Sequence, residues 1–266
     1  MKLNITSIFV AAALFVACGH DDSFVVKGTI NGGAGKMLYV TELAPREQVF
    51  IDSVRLDDKG SFQFQYSPKY ESFFELHASE SDYIMLLPER GEDIELQANI
   101  ESLETTYEVR GSQGSMLLWQ LQNYTNEGNV RLREIVALDK QNKEQFANDE
   151  KAYKKAKQVT DSMYWDAYWE QSDYIKHFIE ENQGSLATLI ALYKPFGPNH
   201  PLIDIQRDPS LLSYFDMVLE GLRQRFPDNP HTAHFQLSVE HLQRQYDQYM
   251  QRQAAQQQQL TVSVGN

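Results

Sequence analysis

The sequence predicts an α+β chain: an antiparallel β-sandwich or small barrel over residues 23–111, then a helical region over residues 112–252. Three observations predict it. Apolar and polar residues alternate in seven or eight short runs between residues 23 and 110, the period of half-buried strands. Turn signals separate those runs roughly every ten residues. At Gly111-Ser112 the period of two gives way to helical spacing, and strand-like runs do not return until the last residues.

The chain begins with Lys2 and an apolar run from Ile8 to Ala17 that ends at Cys18. That is the layout of a secretory signal peptide over residues 1–17, too short for a membrane-spanning helix. Phe15-Val16-Ala17-Cys18 resembles a bacterial lipobox, with Phe15 where Leu is commoner. The resemblance implies diacylglyceryl transfer to Cys18, cleavage before it, and a lipidated tether over residues 18–22. The expected location is the cell envelope, at the outer membrane facing the periplasm. Asp21-Asp22 resembles a short acidic export signal, which would place the protein on the cell surface; a solvated tether explains the pair equally well.

In the first strand region, Phe24, Val26 and Ile30 alternate with Val25, Lys27 and Thr29. Asn31 to Gly35 forms a turn, and Met37 to Thr41 follows. Phe62, Phe64, Leu96 and Val109 lie on the apolar sides of later runs and are expected in the core. Asp57-Asp58-Lys59-Gly60 sits between two such runs and predicts a hairpin, with Gly60 at positive φ. Pro88 to Glu92 is a second turn.

Ser112 is an expected N-cap for a helix carrying Leu117, Leu121 and Tyr124, and Val130 to Leu138 is a further helical candidate. Residues 143–182 form a long charged helix. Gly184 breaks it and Ser185 caps the next, Leu186 to Tyr193. Pro195 to Pro201 is a loop. Asp208-Pro209 and Asn229-Pro230 each start a helix. The Gln-rich tail, 253–266, is expected to fray or to serve as a linker.

Several motifs together carry a family resemblance: Gly28-x-Ile30, Ile51-Asp52-Ser53, Asp57-x-x-Gly60-x-Phe62, Pro88-x-x-Gly91-Glu92 and Gly111-Ser112. They resemble an N-terminal domain of unknown function in Bacteroidota-type lipoproteins. In that family the domain usually precedes a thioredoxin-like domain of the thiol-disulfide reductase type. The resemblance implies a β domain and helical segment over residues 23 to about 250. The Cys-x-x-Cys that would follow is absent from this sequence, so no catalytic residue is carried over.

Composition limits the chemistry further. With 24 basic and 37 acidic side chains the formal charge is −13, which argues against nucleic acid as a partner. Cys18 is the only cysteine. Disulfides, cysteine zinc sites and thiol catalysis are therefore excluded. His231, His234 and His241 share a helix face, but a row on one helix does not surround a metal. His177-Phe-Ile-Glu180-Glu181 lacks the second histidine of a zincin. Trp165, Tyr168 and Trp169, with Tyr164 and Tyr174, form the densest aromatic cluster. They are the candidate ligand or partner surface, for a glycan or another envelope protein, although helical spacing fits core packing better.

The expected function is that of a lipid-anchored envelope protein, a non-enzymatic binding or scaffold module without metal or cofactor, held to the membrane by its lipid. The alternative is the N-terminal accessory half of a thiol-disulfide reductase lacking its thioredoxin-like domain.

Overall fold

A computed structural model describes residues 22–264, apart from Glu80 and Asn199. The expected signal peptide over residues 1–17 and the expected lipidation site Cys18 lie outside the described residues. The fold is α+β, with two four-stranded sheets followed by helices. The strands are β1 (Phe24–Asn31), β2 (Met37–Ala44), β3 (Glu47–Arg55), β4 (Ser61–Tyr66), β5 (Phe73–Ser79), β6 (Asp82–Leu86), β7 (Asp93–Asn99) and β8 (Glu108–Arg110); a short helix, α1 (Leu103–Thr106), precedes β8. The first sheet has the order β4-β1-β7-β8 and the second β3-β2-β5-β6.

The alternation seen in the sequence is the inward face of this sandwich. Phe24, Val26, Phe62, Phe64, Leu96 and Val109 from the first sheet meet Leu38, Val40, Phe74, Leu76 and Ile84 from the second in one buried cluster. Phe24 lies at its centre, fully buried and edge-on to the rings of Phe64, Tyr66 and Phe74.

Two features depart from the sequence reading. The Asp57–Gly60 turn forms, with Asp57 Oδ1 accepting from the Lys59 and Ser61 amides and Gly60 at φ 79°. However, β3 and β4 belong to different sheets, so the turn is a corner of the sandwich rather than a hairpin within one sheet. The same local bonds serve either geometry, and the register of the flanking strands decides. The second departure is that β1 and β7 run parallel, while every other pair is antiparallel.

The helices are α2 (Gln113–Gln145), α3 (Glu150–Glu181), α4 (Ala187–Leu192), α5 (Leu212–Arg225) and α6 (Pro230–Val264). Ser112 caps α2, accepting from the Ser115 amide. The two helical candidates between Leu117 and Leu138 are one continuous helix, because the intervening Gly128 sits against Gln171 of α3, where a Cβ would collide. Asp208 caps a 3₁₀ turn over Pro209–Leu211 that leads into α5. The expected loop at Pro195 to Pro201 contains a minimal ladder between β9 (Pro195–Phe196) and β10 (His200–Pro201). The Gln-rich stretch lies within α6, which continues to Val264. Gln and Ala are good helix formers, and no Gly or Pro interrupts residues 231–264.

The helices cover part of the outer face of the second sheet. On β5, Phe74 points into the sandwich and its neighbour Phe73 into the helical core, as the pleat requires. Phe73 and Leu87 join Leu117, Leu121, Ile175, Ile179, Val218 and Phe235 there. Around Phe73 and Leu87 the second sheet is thus buried on both faces, while Tyr39 on β2 and Phe50 on β3 stay exposed, and the two halves share a seam.

Candidate functional site

A cleft of about 290 Å³ opens in that seam, between β6, α1, α2 and the end of α4. Each wall is placed by local chemistry. The Asp82 carboxylate on β6 accepts from the Leu103 and Glu104 amides, which ties α1 beside the sheet. The chain then turns through Tyr107, whose carbonyl accepts from Trp119 Nε1 at 2.7 Å. At the start of α2, Ser115 Oγ accepts from the Leu87 amide. Gly114 packs so close to the Leu87 carbonyl that a side chain would collide. That approach brings Leu118, Leu121 and Gln122 to the cleft. On the far wall, Leu189 and Ile190 come from α4, and Lys194 is held by backbone bonds to Ala191 and Leu202.

The polar groups in this apolar setting form one chain. Lys194 Nζ donates to Gln122 Oε1 at 2.8 Å, and Gln122 Nε2 donates to Glu104 Oε1 at 2.7 Å. Burial pushes the Lys194 ammonium below its ordinary pKa, opposed by the Glu104 charge. Lys194 forms no ion pair among the described residues.

Three tyrosines, Tyr83, Tyr107 and Tyr193, line the same space. Their hydroxyls have no hydrogen-bond partner among the described residues. Tyr107 is only 4% exposed. Its hydroxyl is nevertheless not sealed in, since Thr232 Oγ1 is the one fully buried side-chain oxygen or nitrogen without a partner among the described residues. Burial raises all three phenol pKa values, with nearby glutamates adding to the effect at Tyr83 and Tyr107. At neutral pH the cleft therefore presents O–H donors, not phenolates. This arrangement can bind, and no hydrogen-bonded nucleophile and base pair lines it.

A wider groove of about 420 Å³ lies between residues 205–212 and α6, lined by Leu212, Leu242, Tyr246 and Tyr249 among others. Its polar lining is Gln206, Gln245 and the two tyrosines, and no charged side chain is among the described residues there.

The residues singled out from the sequence lie elsewhere. Tyr168 is buried, donating to the Pro201 carbonyl at 2.9 Å. Trp165 is partly buried and Trp169 is 42% exposed. The Arg207 guanidinium sits 4.6 Å from the ring centres of both tryptophans. Tyr164 hydrogen-bonds His200 and stacks edge-on to Trp165. The cluster thus packs α3 against the 200–207 segment, and the tryptophan faces carry a cation from this chain.

His231 leaves the row of helix histidines and faces the β half, while His177 pairs with Glu181 on the surface. No group of three or more His, Cys, Asp or Glu that could hold a metal occurs among the described residues. No described helix is long and apolar enough to cross a membrane. Tyr83, Glu104, Tyr107, Gln122 and Lys194 come from separate elements with no shared motif, so no sequence signal joined them. No family model, curated protein or solved structure matches the chain.

Proposed function

We propose that this chain is a lipid-anchored envelope protein whose folded part is a non-enzymatic binding module, with the seam cleft as its site. The observation that carries the binding reading is one concavity lined by Lys194 and by Tyr83, Tyr107 and Tyr193, on an apolar floor. A few donors converging in a mostly apolar concavity are what orient a small ligand. The volume, about 290 Å³, is at the small end for such sites. The anchoring reading is supported by Phe15-Val16-Ala17-Cys18 after a short apolar run. The membrane is then a partner through acyl chains, each buried methylene adding roughly 0.8 kcal/mol.

Mass spectrometry of the N-terminal peptide tests the anchor: acylated Cys18 at the mature N-terminus supports it, and an unmodified Cys18 or cleavage elsewhere sinks it. A thermal-shift panel of small acids, alcohols, amines and sugars tests the module. A compound that raises the midpoint of the parent chain but not of Tyr107→Phe/Lys194→Met supports the cleft. Equal shifts in both would remove it.

The motif resemblance supports a second reading, the N-terminal accessory part of a thiol-disulfide reductase. Gly60, Gly91 and Gly111 of those motifs all take positive φ. These glycines therefore do turn chemistry.

A further inference from the structure

Lys194 keeps unused donors in the seam cleft. The ammonium of Lys194 has three N–H groups, and its recorded side-chain bond, to Gln122, uses one. Tyr83, Tyr107 and Tyr193 add three hydroxyls without partners among the described residues. Glu104 is the one carboxylate in the lining, and it accepts from the Gln122 amide. Gln122 is itself engaged on both sides, and also donates to Asn126 Oδ1 at 3.1 Å. No carboxylate lies within ion-pair distance of Lys194 among the described residues, and Glu104 acts on its charge only from beyond Gln122.

We propose that the seam cleft takes a small monocarboxylate with an apolar body, its carboxylate on Lys194 and the tyrosine hydroxyls and its body over Leu118, Leu121, Leu189 and Ile190. The proposal rests on the reading of the cleft as the module's binding site. Direct contact with Lys194 selects this class. The lining carries one positive charge, Lys194, and one negative, Glu104, so a ligand carboxylate adds a single charge beside the ammonium, whereas a phosphate dianion would add two against leucine walls and beside Glu104. A cationic ligand would meet Lys194 and find its only counter-charge already hydrogen-bonded to Gln122. A neutral alcohol would fill the apolar floor but give the ammonium no direct ion pair. The lowered proton affinity of Lys194, caused by burial and opposed by Glu104, fits a half-buried cation without a direct ion pair.

The test is calorimetric titration of the full chain with phenylpropanoate, phenylpropanol and phenylpropylammonium, which share one apolar body. The expected result is one site per chain for the acid, with the alcohol and the amine each at least about tenfold weaker, a difference of about 1.4 kcal/mol. Lys194→Met should weaken the acid about tenfold or more and leave the alcohol unchanged, while Lys194→Arg should retain most of the acid's affinity. Leu189→Trp, on a partly exposed wall, fills the cleft and should abolish binding of acid and alcohol alike. Circular dichroism of each variant shows whether it is folded. If the alcohol or amine binds as tightly as the acid, or Lys194→Met leaves the acid unaffected, the carboxylate assignment is overturned; loss of that binding in Leu189→Trp would still leave the cleft as the site. If no member of the series binds, or Leu189→Trp changes nothing, both the assignment and the cleft reading fall.

Discussion

His231 Nε2 lies 3.2 Å from Ser72 Oγ, joining the first turn of α6 to the chain just before β5. The imidazole also meets the Phe73 ring edge-on at 5.2 Å. Burial, with the nearby His234 charge second, lowers its pKa to about 4, against the opposing pull of a Leu43 backbone hydrogen bond. The unfolded chain binds this proton near pH 6.5, so between pH 6.5 and 4 it holds more protons than the folded chain. Stability from this group is present above pH 6.5 and is lost as pH falls through that window, about 2 kcal/mol of it by pH 5. Denaturant titrations at pH 7.5 and 5 on the parent chain and His231→Gln check this. The parent should lose more stability than the variant, and equal losses would contradict it.

Phe24→Ala removes the ring on which Phe64, Tyr66 and Phe74 converge. It should cost roughly 3–5 kcal/mol in a denaturant titration. The same change at Tyr39, 38% exposed on β2, should cost less than about 1 kcal/mol. Similar costs at both positions would mean that the strand faces have been assigned wrongly.

Arg207→Ala removes the cation from between Trp165 and Trp169. The pair is partly solvated, so the loss should be about 1 kcal/mol. Tryptophan emission should change in the folded state while the slope of the unfolding transition stays constant. Unchanged emission and midpoint would show that the guanidinium does not rest on the rings in solution.

The purified chain should not accelerate insulin reduction by dithiothreitol. Exchange needs an attacking thiolate and a second, resolving thiol, and the sequence contains one cysteine. Activity above a Cys18→Ser control would contradict both the binding-module reading and the acylation of Cys18.

Strand and helix types were legible because alternation and helical spacing are local properties. Ser112, Asp208 and Asn229 announced helix starts through cap chemistry, and their side chains accept from the backbone amides of Ser115, Ser210 and His231. The sheet to which a strand belongs was not legible, since Asp57 and Gly60 make the same turn whether β4 folds back on β3 or crosses to β1. The parallel β1–β7 pair joins residues about seventy positions apart, as with Val26 and Ile94, beyond the reach of any window of periodicity. The aromatic cluster drew attention because its members are close in sequence, and that closeness reflects packing. The cleft residues are far apart in sequence, Tyr83 to Lys194, and only the docking of α2 and α4 on the second sheet brings them together.

The most direct measurement of the central claim is ¹⁹F NMR of the chain labelled with 3-fluorotyrosine and titrated with phenylpropanoate. Tyr83→Phe, Tyr107→Phe and Tyr193→Phe assign the three cleft resonances. The account predicts that these three shift together and saturate, while exposed Tyr249 on α6 stays put. Shifts spread evenly over all tyrosines, or no shift at Tyr107, would contradict it.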